Sequence, residues 1–462
     1  MATISSLGVG SGLDVNSIIT QLMALEKKPL TNLQTAGTKI QSQISEVGKI
    51  KSALSTFRDA AAKLASADFW KTTTGSSSSG AVAIATSSSA SAAQYSVEVT
   101  SLARAQTIAA PALASSAATL GAGTLTLQRA AADALPVQVT IEATDTLADI
   151  RDKINAAGAG VTASILNDGT GARLVMRADD TGTDNAFSTT VSGSGLDGLA
   201  FDAASGTGGA TLSQAAANAA ATINNLPVTS QSNTLADVLD GVTLTLNAQT
   251  SEPVNVAVKP DTEALKKKLE EFAEAYSALA ALIKTDTKYD AASKKAGVLQ
   301  GDSSIVGIQN QLRSMLGSTS AASGVYARLS DVGFEIQQDG SLSVNATRLD
   351  KALANLPELS KLFAGSSLTD PAQDGFGKRF RELAGGMLGI DGVMSSRADA
   401  LSAKLDRNAD AQERMQVRLE QTQARLERQY AALDTQMGKL NSLSAYMTQQ
   451  VALWNKSGGN NN

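Results

Sequence analysis

Residues 7–30 of this chain read Leu-Gly-Val-Gly-Ser-Gly-Leu-Asp-Val-Asn-Ser-Ile-Ile-Thr-Gln-Leu-Met-Ala-Leu-Glu-Lys-Lys-Pro-Leu. Three glycines near the start leave the backbone unrestrained, and Pro29 interrupts the pattern at the other end. Between them lies an apolar stripe at helical spacing. A helix this short cannot bury its apolar face alone, so we expect it to need a partner. The stripe consists of Val15, Ile18, Ile19, Leu22 and Leu25.

Helical patterns continue on this side of the chain and return at its other end. From residue 33 to residue 64, apolar or small residues step by four and three, which predicts a coiled-coil-like helix ending near Trp70. The same spacing returns at residues 265–283. It recurs over residues 401–454, where an extra step of four between Leu426 and Tyr430 forms a stutter. Polar residues in this last seam weaken it and can fix its register: Asn408, Gln412, Thr422 and Ser444.

The middle of the chain has the two-residue period of β-strands. Residues 71–94 are rich in Ser, Thr and Gly, and alternating short strands follow up to residue 258. Turns such as Asn167-Asp168-Gly169 separate them, as Asp339-Gly340 separates a later pair. The tetrapeptide Thr-Leu-Ala-Asp occurs at residues 146–149 and again at 234–237. Both copies fit a capping box, so we predict a short helix after each.

We therefore predict an α+β multidomain fold. A helical coiled-coil leg domain is built from both chain ends, and two antiparallel β-rich head domains are inserted between them. The predicted segments are a flexible N-terminal segment with a short amphipathic helix (1–32), a helical leg (33–70 plus 261–430), a proximal β head (71–117 plus 210–260), a distal β head (118–209), and a C-terminal coiled-coil helix with a flexible tail (431–462).

Composition excludes several kinds of chemistry. The 462 residues include no Cys and no His, which removes disulfides, thiolate or imidazole metal sites and any histidine base. The formal net charge of -5 argues against nucleic-acid binding. We see neither an apolar run long enough to span a membrane nor a conventional secretory signal, and composition alone favours a cytoplasmic protein.

Motifs that resemble catalytic or ligand sites are weak. The glycines at 8, 10 and 12 follow no strand, so a dinucleotide loop is disfavoured. Residues 179–184 lack the ligand spacing of a calcium loop and read as a β-turn. Glu270 and Glu271 read as a charged helix face rather than a glycosidase pair. A Ser/Lys dyad stays open because both residues are abundant. We predict no catalytic, cofactor-binding or metal-binding residues, and no enzyme.

Residues 7–30, with Pro29 as it stands, resemble the N-terminal signature of the flagellar hook-associated protein 2 family, the flagellar filament caps. The segment 121–187 resembles the module inserted in flagellin-type axial proteins. The motifs after residue 261 follow the order of the family's C-terminal region. The resemblance extends along essentially the whole chain.

This resemblance implies an oligomeric cap at the distal end of the growing filament, which retains exported flagellin, promotes its folding and insertion, and is required for motility. Implied partners are further copies in a ring (a pentamer or close to it), flagellin subunits and the filament end, an export chaperone, and host mucin as a secondary ligand. Nucleic acid and membrane insertion are not implied. The implied location is extracellular, at the flagellar tip, after export through the flagellar type III channel without a cleaved signal peptide.

Two alternatives remain at this point: a tip-exposed adhesin that binds host mucus or cells, and another flagellar axial protein such as a hook–filament junction protein. Within the cap interpretation, the terminal stripes are candidate partner-binding surfaces because they lie at free ends beyond the body. We expect both terminal segments to become ordered on binding. The predicted partner-binding residues are Val15, Ile18, Ile19, Leu22, Leu25, Leu433, Met437, Leu440, Met447, Val451 and Trp454.

Overall fold

The computed structural model describes residue 12 and residues 14–291 and 294–457. The glycine-rich start before residue 12 and the predicted tail after residue 457 lie outside these residues. Within the described residues, helices lie towards both ends of the chain and antiparallel strands lie in its middle, which confirms the predicted α+β fold class. The helices are α1 (Val15–Glu26), α2 (Lys28–Leu64), α3 (Leu147–Ala156), α4 (Thr262–Thr287), α5 (Ser303–Leu316), α6 (Ala346–Leu353), α7 (Leu356–Ala364), α8 (Phe376–Leu388) and α9 (Val393–Ser457).

The strands before α4 are mostly short, and their pairing is antiparallel throughout. They are β1 (Thr73–Ser77), β2 (Val82–Thr86), β3 (Ala93–Ser101), β4 (Thr107–Ala109), β5 (Ala122–Arg129), β6 (Val137–Ile141), β7 (Val161–Asn167), β8 (Ala172–Ala178), β9 (Phe187–Ser194), β10 (Phe201–Asp202), β11 (Thr207–Gly208), β12 (Thr211–Gln214), β13 (Ala219–Ile223), β14 (Leu226–Ser230), β15 (Thr234–Leu239), β16 (Val242–Leu246) and β17 (Val254–Pro260). Later come β18 (Tyr289–Asp290), β19 (Lys295–Ala296), β20 (Phe334–Ile336) and β21 (Leu342–Val344).

The chain divides into two compact units: residues 67–265, and residues 1–66 together with 266–462. The second of these, the helical unit, is centred on a cluster of aromatic side chains from separate segments. Phe57 of α2 lies 5.2 Å from Phe272 of α4 and 5.4 Å from Phe380 of α8, measured between ring centroids. All three side chains are fully buried. Aromatic residues are rare in this chain, so concentrating them here supplies much of the area that the helices bury.

Residues 67–265 form the β unit, which holds two apolar cores. The first β core lies between the sheets β1-β17-β3-β13-β14 and β15-β16-β2. The second β core is enclosed by β11-β10-β9-β5-β6, by β12-β4-β8-β7 and by α3. Buried residues of the second core run from Ala105 to Ala210, and those of the first lie on both sides of that range. The second core is thus an insertion within the first.

The two Thr-Leu-Ala-Asp segments adopt different structures. At Thr146 the capping box is complete: Thr146 Oγ1 accepts a hydrogen bond from Asp149 N, and Thr146 N donates to the Asp149 carboxylate. At Thr234 the predicted helix is wrong, because residues 234–239 form β15 paired with β16. Gly241, with a positive φ of 68°, turns the chain soon after this second copy, which leaves no room for a helix.

Candidate assembly surface

The α1 helix packs its apolar face onto α9. The Asp14 side chain caps α1 by accepting a hydrogen bond from Ser17 N at 3.0 Å. Val15, Ile19 and Met23, spaced four residues apart, are then buried in a cluster with Leu419. The cluster is completed by half-buried side chains: Leu30, Met415, Leu426 and Tyr430.

The structure divides the predicted partner-binding residues of α1 into two groups. Val15 and Ile19 are buried inside the chain, and Ile18 is half-buried. Leu22 and Leu25 are exposed, Leu25 to 60%. Met23, which the sequence analysis left out of the stripe, is the third buried contact of α1. Its spacing of four from Ile19 is the signal that could have found it.

The apolar face of α9 that α1 covers continues uncovered beyond Tyr430. At 3.6 residues per turn, Leu433, Leu440 and Val451 fall on the same face as Met415 and Leu426. The predicted residues here are exposed, Met447 to 60% and Trp454 to 79%, except for the half-buried Met437. The last part of α9 thus presents an apolar stripe to solvent. An exposed stripe of this length marks an interaction surface.

Nearer its start, α9 meets α2 through a polar contact in the seam. Gln412 Nε2 donates a hydrogen bond to Asn408 Oδ1 at 2.6 Å, and this amide pair lies against Gly37 of α2. A methyl group on Gly37 would come within 2.8 Å of Asn408 Oδ1. Two of the four predicted polar interruptions therefore lie against a glycine of α2 that leaves room for them, which ties the register of the two helices to this point.

A turn joins the two β cores at residues 179–184. Thr181 Oγ1 donates a hydrogen bond to the main-chain oxygen of Gln231 at 2.7 Å, and Asp184 N donates to Gln231 Oε1 at 3.1 Å. Thr183 N donates to Asn218 Oδ1 at 2.7 Å. These contacts cross from the second β core to the first. The segment, which runs into a short 3-10 helix at Thr183–Asn185, is a structural joint.

The other candidate sites for catalysis or ligand binding are a cavity and a surface ion pair. A cavity of about 510 Å³ in the β unit is lined by six alanines, by Phe201 and Leu212, and by polar side chains: Gln106, Gln128, Arg129, Thr183 and Ser188. Glu271 forms an ion pair with Lys268 at 2.7 Å on the surface of α4. Among the described residues, no group of three His, Cys, Asp or Glu side chains could hold a metal ion. None of the described helices combines the length and the apolar character that crossing a bilayer requires.

One buried acid stands apart in the helical unit. Asp286, near the end of α4, is only 6% exposed, and its Oδ2 atom has no hydrogen-bond partner in the described part of the chain. Burial raises the pKa of this carboxyl, and the negative charge of Glu46 raises it further, while Lys49 acts in the opposite direction. Lys49 itself pairs with Glu46 at 2.8 Å.

Comparison with known proteins gives this architecture a family. The family models for the flagellar hook-associated protein 2 N-terminus and C-terminus match residues 11–106 and 216–442, and the flagellin hook IN motif matches residues 124–180. Flagellar hook-associated protein 2 of Escherichia coli K12 is 35% identical, covering 97% of this chain and 98% of its own. The same protein of Salmonella typhimurium is 31% identical, covering 99% and 100%.

A solved structure agrees with these relatives. The D1-D2-D3 domains of the flagellar cap protein FliD from Escherichia coli align with a TM-score of 0.65 at 33% identity, covering 77% of this chain and 99% of that one. These matches define a structural protein of the bacterial flagellum. The chain belongs to the flagellar hook-associated protein 2 family.

Proposed function

We propose that this chain is a subunit of the cap at the distal end of the growing flagellar filament, where it retains exported flagellin and promotes its folding and insertion. The observation that carries this is similarity over 97% of the chain to a flagellar hook-associated protein 2, together with a structural match over 77% of the chain to a flagellar cap protein. The roles of tip adhesin and hook–filament junction protein are not favoured. The family is structural, and its place is outside the cell, at the flagellar tip.

The apolar end of α9 is the surface that we assign to the filament end. It lies beyond the part of α9 that α1 covers, and its predicted apolar side chains from Leu433 to Trp454 are exposed except for the half-buried Met437. Leu22 and Leu25 of α1 add exposed apolar area, while Val15 and Ile19 serve by holding α1 against α9. The N-terminal segment, the leg, the two heads and the C-terminal helix are also the functional divisions of the chain in this proposal.

A cap must hold the filament end and yet advance after each subunit is added. A single helical stripe buries a modest area, and such small interfaces are typical of transient contacts. Ser444 lies within this stripe and further limits how tightly it can bind. A contact of this kind can release and re-form at each step of growth.

Finer features of the assembly belong to the same proposal. The copies form a closed ring, a pentamer or close to it, and the heads provide the surface above the channel. An export chaperone covers the apolar end of α9 before secretion, and the chain leaves through the flagellar channel. Host mucin is a secondary ligand.

The test places charges on the apolar face of α9 in a strain that lacks its own cap protein. The variant carries Leu440→Glu and Val451→Glu, and the matched control carries Thr435→Glu and Gln449→Glu on the opposite face of the same segment. We expect the variant to release monomeric flagellin into the medium and to leave cells non-motile, while the control restores swimming. Normal filament growth with the variant would contradict the assignment of this surface.

A further inference from the structure

Charged side chains on α9 between residues 406 and 428 are sorted by sign onto two separate strips. At 100° per residue, the centres of these strips lie roughly 120° apart around the helix. All of the residues are exposed. The basic strip consists of Arg407, Arg414, Arg418, Arg425 and Arg428, and the acidic strip consists of Asp406, Glu413, Glu420 and Glu427.

The two strips form no ion pair with each other in the described residues 406–428. Ion pairs along a helix are favoured between residues three or four apart, and adjacent residues pair in other helices, as Arg58 and Asp59 do in α2. Four residues after Glu413, Glu420 and Glu427 come Val417, Ala424 and Ala431. The residue four after Arg414 is another arginine. One acid, Asp410, lies between the strips and within reach of both Arg407 and Arg414, which leaves Arg418, Arg425 and Arg428 without such a neighbour.

The helices α1 and α2, which pack against this part of α9, supply few acids for the basic strip. Both α1 and the first half of α2 are poor in acidic residues: residues 27–45 contain no Asp or Glu, and α1 with its cap offers Asp14 and Glu26. The register set by Gly37 and Asn408 places this acid-free stretch, which carries Lys27, Lys28 and Lys39, beside α9. It therefore offers no carboxylate to the basic strip, and the side chains of both strips are exposed.

The strips match each other in height along the helix axis. Every arginine of the basic strip lies within two residues of a member of the acidic strip, which is about 3 Å along the axis. Two parallel copies side by side at the same height would thus bring opposite charges together. An antiparallel neighbour would run its charges in the opposite direction along the axis. The basic strip of every copy could then not face the acidic strip of the next copy around a ring.

We propose that this part of α9 is a contact surface between copies, in which the basic strip of one chain faces the acidic strip of the next. The arrangement suits a closed ring. Rotation about an axis parallel to α9 places every copy at the same height, so the same contact between a basic and an acidic strip is repeated between each pair of neighbours. It rests on the proposed function, since a cap brings several copies together with the same orientation.

The proposed surface ends where the apolar surface begins. Beyond the stutter at Tyr430, the charged residues of the described part of α9 thin out to Asp434, Lys439 and Lys456. Exposed apolar side chains replace them. In this proposal the stutter divides α9 into two sections. Residues 406–428 determine which copy lies alongside and in what register, and the residues after Tyr430 contact the filament. Exposed charge pairs contribute more to orientation and register than to affinity.

The test reverses each strip in the full chain and then reverses both. One variant carries Arg414→Glu, Arg418→Glu and Arg425→Glu; a second carries Glu413→Arg, Glu420→Arg and Glu427→Arg; a third combines all six. Self-association is measured by sedimentation velocity at low and high salt, with helix content checked by circular dichroism. A control carries Lys39→Glu, Lys51→Glu and Lys63→Glu at exposed positions of α2. Its change in net charge equals that of the first variant, in which three arginines become glutamates.

We expect each single-strip reversal to weaken self-association about tenfold at low salt, and less at high salt, because screening removes the effect of exposed charges. The six-residue swap should restore association, and the α2 control should behave like the unmodified chain. Unchanged association of the single-strip variants would overturn the proposal, as would failure of the swap to restore it. Flagellin release with normal self-association would assign the strips to filament subunits, overturning this proposal while leaving the cap function intact.

Discussion

Gly377, in the first turn of α8, lies directly against the main chain of Ala65 at the end of α2. A methyl group on Gly377 would come within 2.7 Å of Ala65 N and 2.9 Å of the carbonyl carbon of Leu64. Both of these are backbone atoms, which cannot rotate out of the way as a side chain can. The closest approach of α2 and α8 therefore depends on the absence of a single Cβ atom.

The first prediction uses this contact. We expect Gly377→Ala to lower the free energy of unfolding of the helical unit by about 1–3 kcal/mol, because the two helices must move apart. Gly385→Ala, in the same helix but with open space around its α-carbon, should instead raise it by up to about 1 kcal/mol through helix propensity. Urea unfolding followed at 222 nm would measure both. Equal effects at the two positions would show that α2 and α8 do not depend on this contact.

The repeated Thr-Leu-Ala-Asp segments make a matched pair for a second prediction. Thr146→Ala removes the cap of α3 and should lower the free energy of unfolding of the β unit by about 1 kcal/mol. Thr234→Ala acts in an exposed edge strand, so a change within about 0.5 kcal/mol is expected. Thermal unfolding of the β unit by calorimetry would separate them, and a larger loss at Thr234 would contradict the capping argument.

Asp286 leads to a prediction about pH. Its raised pKa means that the folded state binds this proton more tightly than the unfolded state, so its contribution to stability is present at low pH and is lost as the pH rises through the folded-state pKa. We expect Asp286→Asn to stabilise the helical unit at pH 8 by about 1 kcal/mol, because it removes a buried charge. At pH 4 the two proteins should be closer in stability.

Unfolding midpoints measured from pH 4 to pH 8 would test this. The control is Asp59→Asn, which changes an exposed carboxylate paired with Arg58. The control should leave the pH profile nearly unchanged. A profile of Asp286→Asn that runs parallel to that of the unmodified chain would show that Asp286 does not titrate as argued.

The joint between the two β cores carries a fourth prediction. Gly182 has a φ of 99°, and a Cβ atom there would lie 2.7 Å from the Cα of Gln231. Gly169, in the turn between β7 and β8, has a φ of 88° but open space around it. Gly169→Ala should therefore cost about 1 kcal/mol from backbone strain alone.

Gly182→Ala adds a collision between the two cores to that strain, and it should cost a further 1–3 kcal/mol or so. It should also increase amide hydrogen exchange around Gln231, whereas Gly169→Ala should affect only its own hairpin. If Gly182→Ala and Gly169→Ala gave the same exchange pattern, this result would contradict the role of residues 181–184 in joining the two β cores.

Periodicity alone predicted most of the fold, because long amphipathic helices and alternating strands leave direct patterns in the sequence. The helix over residues 401–454 and the strands on either side of Gly169 and Gly340 are confirmed. The sequence predicts that Pro29 interrupts the helical pattern, and it does separate α1 from α2, but it does not leave a non-helical gap. It lies in the first turn of α2, where its missing N–H costs nothing, so the chain resumes as helix at once.

The terminal surfaces were harder to predict, since an apolar stripe does not reveal what covers it. Val15 and Ile19 pack within the chain, whereas Leu440 and Val451 are exposed, although all four sit in similar patterns. Thr234 shows a second limit: a capping sequence yields to strand pairing when a partner such as β16 is available. Contacts between distant segments decide both cases, and a local pattern does not contain them.

The length of α9 has a mechanical consequence. At 1.5 Å per residue its 65 residues extend roughly 100 Å, as one uninterrupted helix through the stutter. By geometry alone, a tilt of about 5° at one end of a straight helix of that length displaces the other end by roughly 9 Å. Small rotations of the helical unit are thus amplified into movements larger than a helix turn at the tip of α9.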